Sequence, residues 1–600
     1  SASTTLTGSS VTLSGDVGKR TSNGNSLALD TSAVDGAINL NISLGRNSVW
    51  YIPTSFTANA GTGTVSVTGT GPASSGWRST PVTLTGAMNI TANVNSGAAV
   101  TLIAPVPGTV SGAFSGAMSL TKDGVSTLTL SAANSYTGGT TLGRGTLRFT
   151  ADWSGAGGPL SLGAAANSTY PVTLDLTNAS FTATSLTMLI TNATASTVLI
   201  GNGRTLTVNG NVTLGDVDNT QDSSLSMSGV GTFNVNSAAG SIVVGPGNNL
   251  AFTESTSVTL NMSNLANFDA GVANFRVGYA GAGANRSCGA TVYLATNSTI
   301  TATLISIGDS NGENAGNGSS LRMNRAGTSL YADTFHIGRS KAGGTLLFNS
   351  GTTGTVTIRA KDTTGRVGSF IVGDRSVDTS SAEPSGNANF SAGTVDALID
   401  KLYISWLSVS VSGDGGCTGT FTMGTNENSV VDVNTVYLAY GTADADTSNT
   451  GTLDIGGGTF RFGSFATGVL GQTNVYFRGG TIASQNATAR SMSLNFTLGR
   501  ISTAENTVTF GESSGGTGSL AFSGNATLAS NTTVEVVVPT TLSGVVSGAY
   551  NLRKTGVNVL TLSGANTYSG TTPVGGGTLT LSGRRTAAAG AIPVSATASP

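Results

Sequence analysis

The sequence predicts an all-β chain, a parallel β-solenoid with three short strands to each coil and no separate globular domain. Three observations predict it. First, one stretch is written twice. Residues 110–149 (VSGAFSGAMSLTKDGVSTLTLSAANSYTGGTTLGRGTLRF) and 542–581 (LSGVVSGAYNLRKTGVNVLTLSGANTYSGTTPVGGGTLTL) align without a gap at an offset of 432, with 22 of 40 positions identical. Second, a looser repeat recurs between the copies, and long internal similarity is the mark of stacked units. Third, the composition is that of short strands and tight turns. Gly contributes 85 residues and charged residues only 9%, against ~25% in ordinary globular chains. Helices with solvated charged faces are nearly excluded.

Apolar mass is still sufficient for a core. Hydrophobic residues make up 38% and mean hydropathy is +0.13, so disorder driven by high charge and low hydrophobicity is not expected. A formal net charge of −2 offers no footprint for nucleic acid or an anionic membrane. The longest apolar runs, such as Thr533–Pro539 (TVEVVVP), are strand length, far short of the ~18 residues of a membrane helix. No transmembrane segment is expected.

Taken in order, residues 1–109 read as an N-terminal cap or irregular β region. They hold two strand-like runs, Ala37–Leu44 and Gly63–Thr70, and the large aromatics Trp50, Tyr51 and Trp77. Caps of this kind close the exposed core end of a solenoid. Residues 110–197 form the first copy of the duplicated stretch and its continuation. There Asn134, Gly138 and Gly139 supply a sharp corner, since both residue types tolerate left-handed backbone.

Residues 198–457 carry the looser coils. Each begins on an anchor of apolar-x-apolar-small: Val198–Gly201, Ile242–Gly245, Phe275–Gly278, Ile305–Gly308, Phe335–Gly338, Phe370–Gly373, Leu402–Ser405 and Val436–Ala439, in steps of 44, 33, 30, 30, 35, 32 and 34 residues. A polar loop, a second strand (Thr345–Phe348, for example) and a third (Thr355–Ile358) lead to the next anchor. Alternation points Phe335, Ile337, Phe370, Val372, Leu402 and Ile404 inward. It points Arg276, Ser306, His336, Ile371, Tyr403 and Tyr437 outward. Residues 458–600 carry the second copy in a C-terminal solenoid segment. The tail from Ala587 resembles Ser154–Ser168, so the pattern is still running at Pro600.

The duplicated skeleton K-x-G-x-x-x-L-T-L-S-x-A-N-x-Y-x-G-x-T-x-x-x-x-G-T-L, at Lys122–Leu147 and Lys554–Leu579, resembles the autotransporter-associated β-strand repeat, also called the passenger-associated transport repeat. That resemblance covers roughly 80 residues. It implies a secreted bacterial surface protein with a right-handed parallel β-helix, of the kind often carried outward by a C-terminal membrane barrel. The sequence shows no series of ~10-residue membrane strands with aromatic girdles, so the secretion route stays open.

Candidate chemistry is sparse. Cys288 and Cys417 are the two cysteines. Their anchors lie four coils apart, which sets the sulfurs ~19 Å apart at the strand spacing, beyond the ~7 Å reach of a disulfide. Both are expected to be free, with a bridge to another molecule as the alternative. His336 is the single histidine and has no sequence neighbours for a metal site or a catalytic triad. No metal or other cofactor is expected.

The residue after each anchor forms a more informative row: Tyr279, Asp309, Arg339, Asp374, Trp406 and Tyr440. Asp309 and Asp374 would stand two coils apart, ~10 Å, near the separation of an inverting glycosidase pair. The aromatics could stack on sugar rings. The plainer reading is a self-satisfied Asp-Arg-Asp ladder. Ile371, Tyr403 and Tyr437 form a second outward row, a candidate lateral contact beneath a loop or against a neighbour.

The expectation is therefore a non-enzymatic, secreted surface protein: a rigid solenoid rod acting as a structural subunit of an extracellular fibre, filament or coat. Self-association would run head to tail through the solenoid ends. The alternative is an autotransporter passenger or adhesin that binds a surface glycan. A polysaccharide-cleaving enzyme fits less well.

Overall fold

A computed structural model describes residues 4–17, 26–44, 55–68, 80–163, 170–188, 195–215, 222–245, 257–281, 289–310, 318–324, 326–351, 353–376, 383–408, 416–441, 449–466, 471–500 and 505–583. Trp50, Tyr51 and Trp77 lie outside these residues, as does Cys288. Among the described residues there is no helix, and each named strand pairing is parallel. The chain is an all-β parallel solenoid. It divides into two compact units, Ser1–Ala273 with Leu294–Thr296, and Asn274–Tyr293 with Asn297–Pro600.

In the first unit the duplicated stretch winds in tight coils of 20 residues. Leu120 pairs on one side with Val100 and on the other with Thr140, and Thr140 pairs with Leu160. The 40-residue motif is thus two turns of the solenoid. Alternation sets its core. Leu84, Leu102, Lys122, Leu142, Leu162, Met188 and Leu214 follow one another in register, and each is buried. A leucine taken out of water in this way contributes about 1.5–3 kcal/mol. The outward neighbours Thr83, Thr101, Thr121, Thr141, Ser161, Thr187 and Thr213 form a hydroxyl row beside it. β-branched threonine suits this position because its restricted side chain costs little in extended backbone.

One member of the inner column is a lysine. The stem of Lys122 lies among leucines and the residue is 0% exposed. Its ammonium donates to the carbonyls of Gly124, Ser126 and Arg144 at 2.5–2.6 Å. Burial lowers its pKa to about 8, against the opposing charge of Asp123, so the ammonium is retained at neutral pH. All three of its protons are used, as a buried cation requires.

In the second unit the anchors pair strand on strand. Ile305, Phe335, Phe370, Leu402 and Val436 follow in register. Phe335 and Phe370 stack at 5.0 Å, and the residues expected inward at Phe335, Ile337, Phe370, Val372, Leu402 and Ile404 are all 0% exposed. The small residue closing each anchor has left-handed backbone: φ is 70° at Gly278, 65° at Gly308, 71° at Gly338, 75° at Gly373, 65° at Ser405 and 45° at Ala439. This column has a second requirement. A Cβ on Gly338 would stand 2.0 Å from the Ser385 carbonyl oxygen, and one on Gly386 would stand 2.1 Å from the Gly373 nitrogen. Two small-residue columns are therefore pressed backbone to backbone. The left-handed residue also resets strand alternation, so the residues two before and one after it both point outward. His336 and Arg339 come to share a face for that reason.

The two demands on Gly338 can be separated by experiment. Gly351 has a similar φ of 73° but open space around it. Gly351→Ala should cost about 1 kcal/mol, the strain of left-handed backbone alone. Gly338→Ala, which adds a carbonyl clash, should cost roughly 3 kcal/mol or more. Denaturant midpoints of the two variants measure the difference.

Candidate functional site

The row after the anchors assembles in register. Asp309 pairs with Arg339, Arg339 with Asp374, Asp374 with Trp406, and Trp406 with Tyr440. The second row runs beside it as Ser306, His336, Ile371, Tyr403 and Tyr437. The two rows are one surface, because the left-handed corner between them sends both outward. Within it the lower coils are ionic and the upper coils aromatic.

The ionic part is a ladder across four coils. Arg276 Nη1 lies 3.6 Å from Asp309 Oδ2, and Arg339 Nη1 lies 3.7 Å from the same oxygen. Arg339 Nε is 3.1 Å from Asp374 Oδ2, and His336 Nδ1 is 2.6 Å from that oxygen. The Ser376 backbone N–H donates to Asp374 Oδ1 at 3.0 Å. Asp309 is 2% exposed and Asp374 0%. Burial by itself raises the Asp374 carboxyl. The close contact and charge of His336, the Ser376 bond and the charge of Arg339 outweigh it and hold the carboxyl below its ordinary value. The two buried carboxylates share Arg339, which lies between them in register. Their arrangement binds coil to coil. Tyr279 sits under the Arg276 guanidinium, 4.1 Å from its ring centre, which occupies that ring with a cation.

The aromatic part is a stack. Tyr403 and Tyr437 are near parallel, with ring centres 4.3 Å apart. Trp406 stacks on Tyr403 at 4.8 Å, and Tyr440 meets Tyr437 edge-on at 4.9 Å. All four rings are half-buried. Ile371, the third member of the expected lateral row, is only 3% exposed. It lies under the surface between His336 and Tyr403, its register neighbours. Ser306 is likewise outward in alternation yet 0% exposed.

Cys417 is fully buried and free. Its Sγ lies 3.0 Å from Ser405 Oγ, and its backbone N–H donates to Asn449 Oδ1 at 2.9 Å. Burial foremost pushes its thiol up to about 12. A neutral, enclosed thiol is a poor nucleophile.

The duplicated motif explains itself residue by residue. Lys122 and Lys554 each donate to three carbonyls, those of Gly124, Ser126 and Arg144 in one copy and of Thr555, Gly556 and Gly576 in the other. Asn134 and Asn566 accept from the backbone N–H of Phe114 and Val546 on the adjacent coil. The Tyr136 hydroxyl bonds Thr140 at 2.7 Å, and that of Tyr568 bonds Thr572 at 2.6 Å. Each signature residue satisfies the polar interior of a 20-residue coil. A family model described as Passenger-associated-transport-repeat matches residues 120–149 and 552–581. The chain carries this repeat twice. Both matches fall on the stretches that show the resemblance in sequence. No curated protein and no solved structure matches the chain.

The His336–Asp374 contact is the feature that sequence reasoning missed. A left-handed anchor residue, once recognised, places the residue two before it beside the residue one after it on the next coil. It supplies a pH test. Asp374 has a folded pKa below its ordinary 3.8. Its stabilising contribution is therefore present above that value and fades as pH falls through the folded pKa. Asp374→Asn should cost about 3 kcal/mol at pH 7, because it leaves Arg339 partly unpaired in a buried setting. Melting curves of variant and wild type should converge only below pH 3.8.

Proposed function

We propose that this protein is a secreted bacterial surface protein of passenger type, whose β-solenoid serves as a structural subunit of an extracellular fibre or coat. The two passenger-associated repeats and the parallel solenoid support the surface-passenger part of this reading. Its motif residues are committed to the coil interior, which fits a scaffold.

The subunit part rests on one comparison between the copies. In the first, the strand Gly145–Phe149 is paired along both edges, with Thr127–Leu130 and Val172–Leu176, and Phe149 is 1% exposed. In the second, the equivalent strand Thr578–Leu581 pairs with Val559–Leu562, and among the described residues its other edge has no strand. Leu581 is 44% exposed. Strand Thr4–Thr7 likewise pairs with Ser26–Asp30 alone among the described residues, and Leu6 is 41% exposed. A strand edge that carries an exposed leucine is a place where a further strand can add. In our reading, copies pair head to tail through these edges.

Negative-stain electron microscopy over a concentration series tests it. Wild-type protein should form end-to-end assemblies that lengthen with concentration, and Leu581→Asp should abolish them by placing a charge on the edge. Monodisperse wild-type particles at high concentration would rule the reading out.

A further inference from the structure

We propose that the aromatic stack Trp406–Tyr403–Tyr437–Tyr440 is a binding platform for a neutral carbohydrate chain. The inference is independent of the assembly reading above and concerns a different face of the coil. It retains the upper half of the row expected from sequence and drops the lower half, whose charged members are spent on one another.

These four half-buried rings touch one another across two adjacent coils, whereas Phe335, Phe370, Phe421 and Phe460 are fully buried. The rings are held in place from below, since Ile371 lies under Tyr403 and Asp374 under Trp406 in register. Toward the next coil the described residues give less support. Val436 pairs with Phe465, and the Ala466 N–H donates to the Val436 carbonyl at 2.9 Å, so the residue in line above Tyr437 contributes one methyl group. Tyr437 and Tyr440 meet at 75°, which makes an aromatic corner rather than a closed stack.

Polar groups precede the rings on the same strands: Asn434, three residues before Tyr437, donates from Nδ2 to Asp400 Oδ1, three residues before Tyr403, at 2.6 Å. The Tyr403 phenol is raised to about 12 by burial first, then by Tyr437, Tyr440 and Asp400. Apolar ring faces beside a few placed hydrogen-bonding groups are the chemistry of a small-ligand site. They match the two aspects of a sugar, C–H faces and hydroxyl edges.

Size and charge argue against other occupants. An aromatic side chain offers ~150–250 Å² when fully buried, so four half-buried rings present a few hundred Å². A stable protein interface needs ~800 Å² from each partner. A nucleic acid or an anionic membrane would need several basic residues around the rings, whereas Lys401, exposed two residues before Tyr403, is followed on this strand by no other lysine or arginine, and the chain has a net charge of −2.

Isothermal titration of the intact chain with cellohexaose, maltohexaose and chitohexaose tests the platform. At least one should bind saturably. Tyr437→Ala should weaken that binding at least ten-fold. Ala466→Leu, which fills the corner and leaves the rings in place, should do the same, and it decides the matter if Tyr437→Ala fails to fold. Tyr279→Ala, whose ring is covered by Arg276, should bind as wild type does. No binding of any of the three sugars by wild type would overturn the proposal, and so would unchanged affinity in Ala466→Leu. Neither result bears on Leu581→Asp and assembly.

Discussion

Each coil of this protein can bury its apolar side only by lying in parallel register on the next. A strand of three to five residues has too little area to hold itself together, and its N–H and C=O groups point along the stack rather than within the coil. Register therefore does two jobs. It satisfies the backbone, and it brings Leu102, Lys122, Leu142 and Leu162 into one column. A slip by one residue would expose that entire column and bury the threonine row beside it.

The polar devices in the interior follow from this constraint. A 20-residue coil turns three times, and each turn brings backbone carbonyls or amides into a space that water does not reach. Lys122, Asn134 and Thr140 in one copy, and Lys554, Asn566 and Thr572 in the other, answer those groups. The longer coils of the second unit solve the corner differently. They use left-handed small residues and a facing glycine column, and the reset of alternation gathers charges into a ladder and aromatics into a stack. The same corner geometry thus makes both the tightest part of the coil and its most distinctive surface.

Much of this was legible in the sequence. The anchors place Phe335, Ile337 and Phe370 inward correctly, because period-two alternation holds along each strand. The row Asp309, Arg339, Asp374, Trp406, Tyr440 is in register, because equal anchors imply equal turns. What the sequence hid lay across the corner. Nothing in a glycine's identity announces a φ of 71° at Gly338, so the meeting of His336 with Asp374, and of Tyr403 with Trp406, was invisible. Burial was also harder to see than direction. Ile371 and Ser306 alternate outward yet are covered, since outward from one coil is not outward from its neighbours. The lysine of the repeat reads as a surface residue by charge alone, and only three carbonyls converging on one point reveal it as a core residue.

The register itself is the claim on which the rest depends, and disulfide trapping tests it directly. Thr101 and Thr121 are register partners on adjacent coils, with Cα atoms at the ~4.8 Å strand spacing and inside the range a disulfide spans. Thr101 and Asp123 are offset by two residues, which puts them ~8 Å apart. In a chain with Cys288→Ser and Cys417→Ser, the pair Thr101→Cys with Thr121→Cys should oxidise rapidly and completely. The pair Thr101→Cys with Asp123→Cys should stay reduced. Equal oxidation of both pairs, or a bridge in the offset pair alone, would contradict the stacking described here.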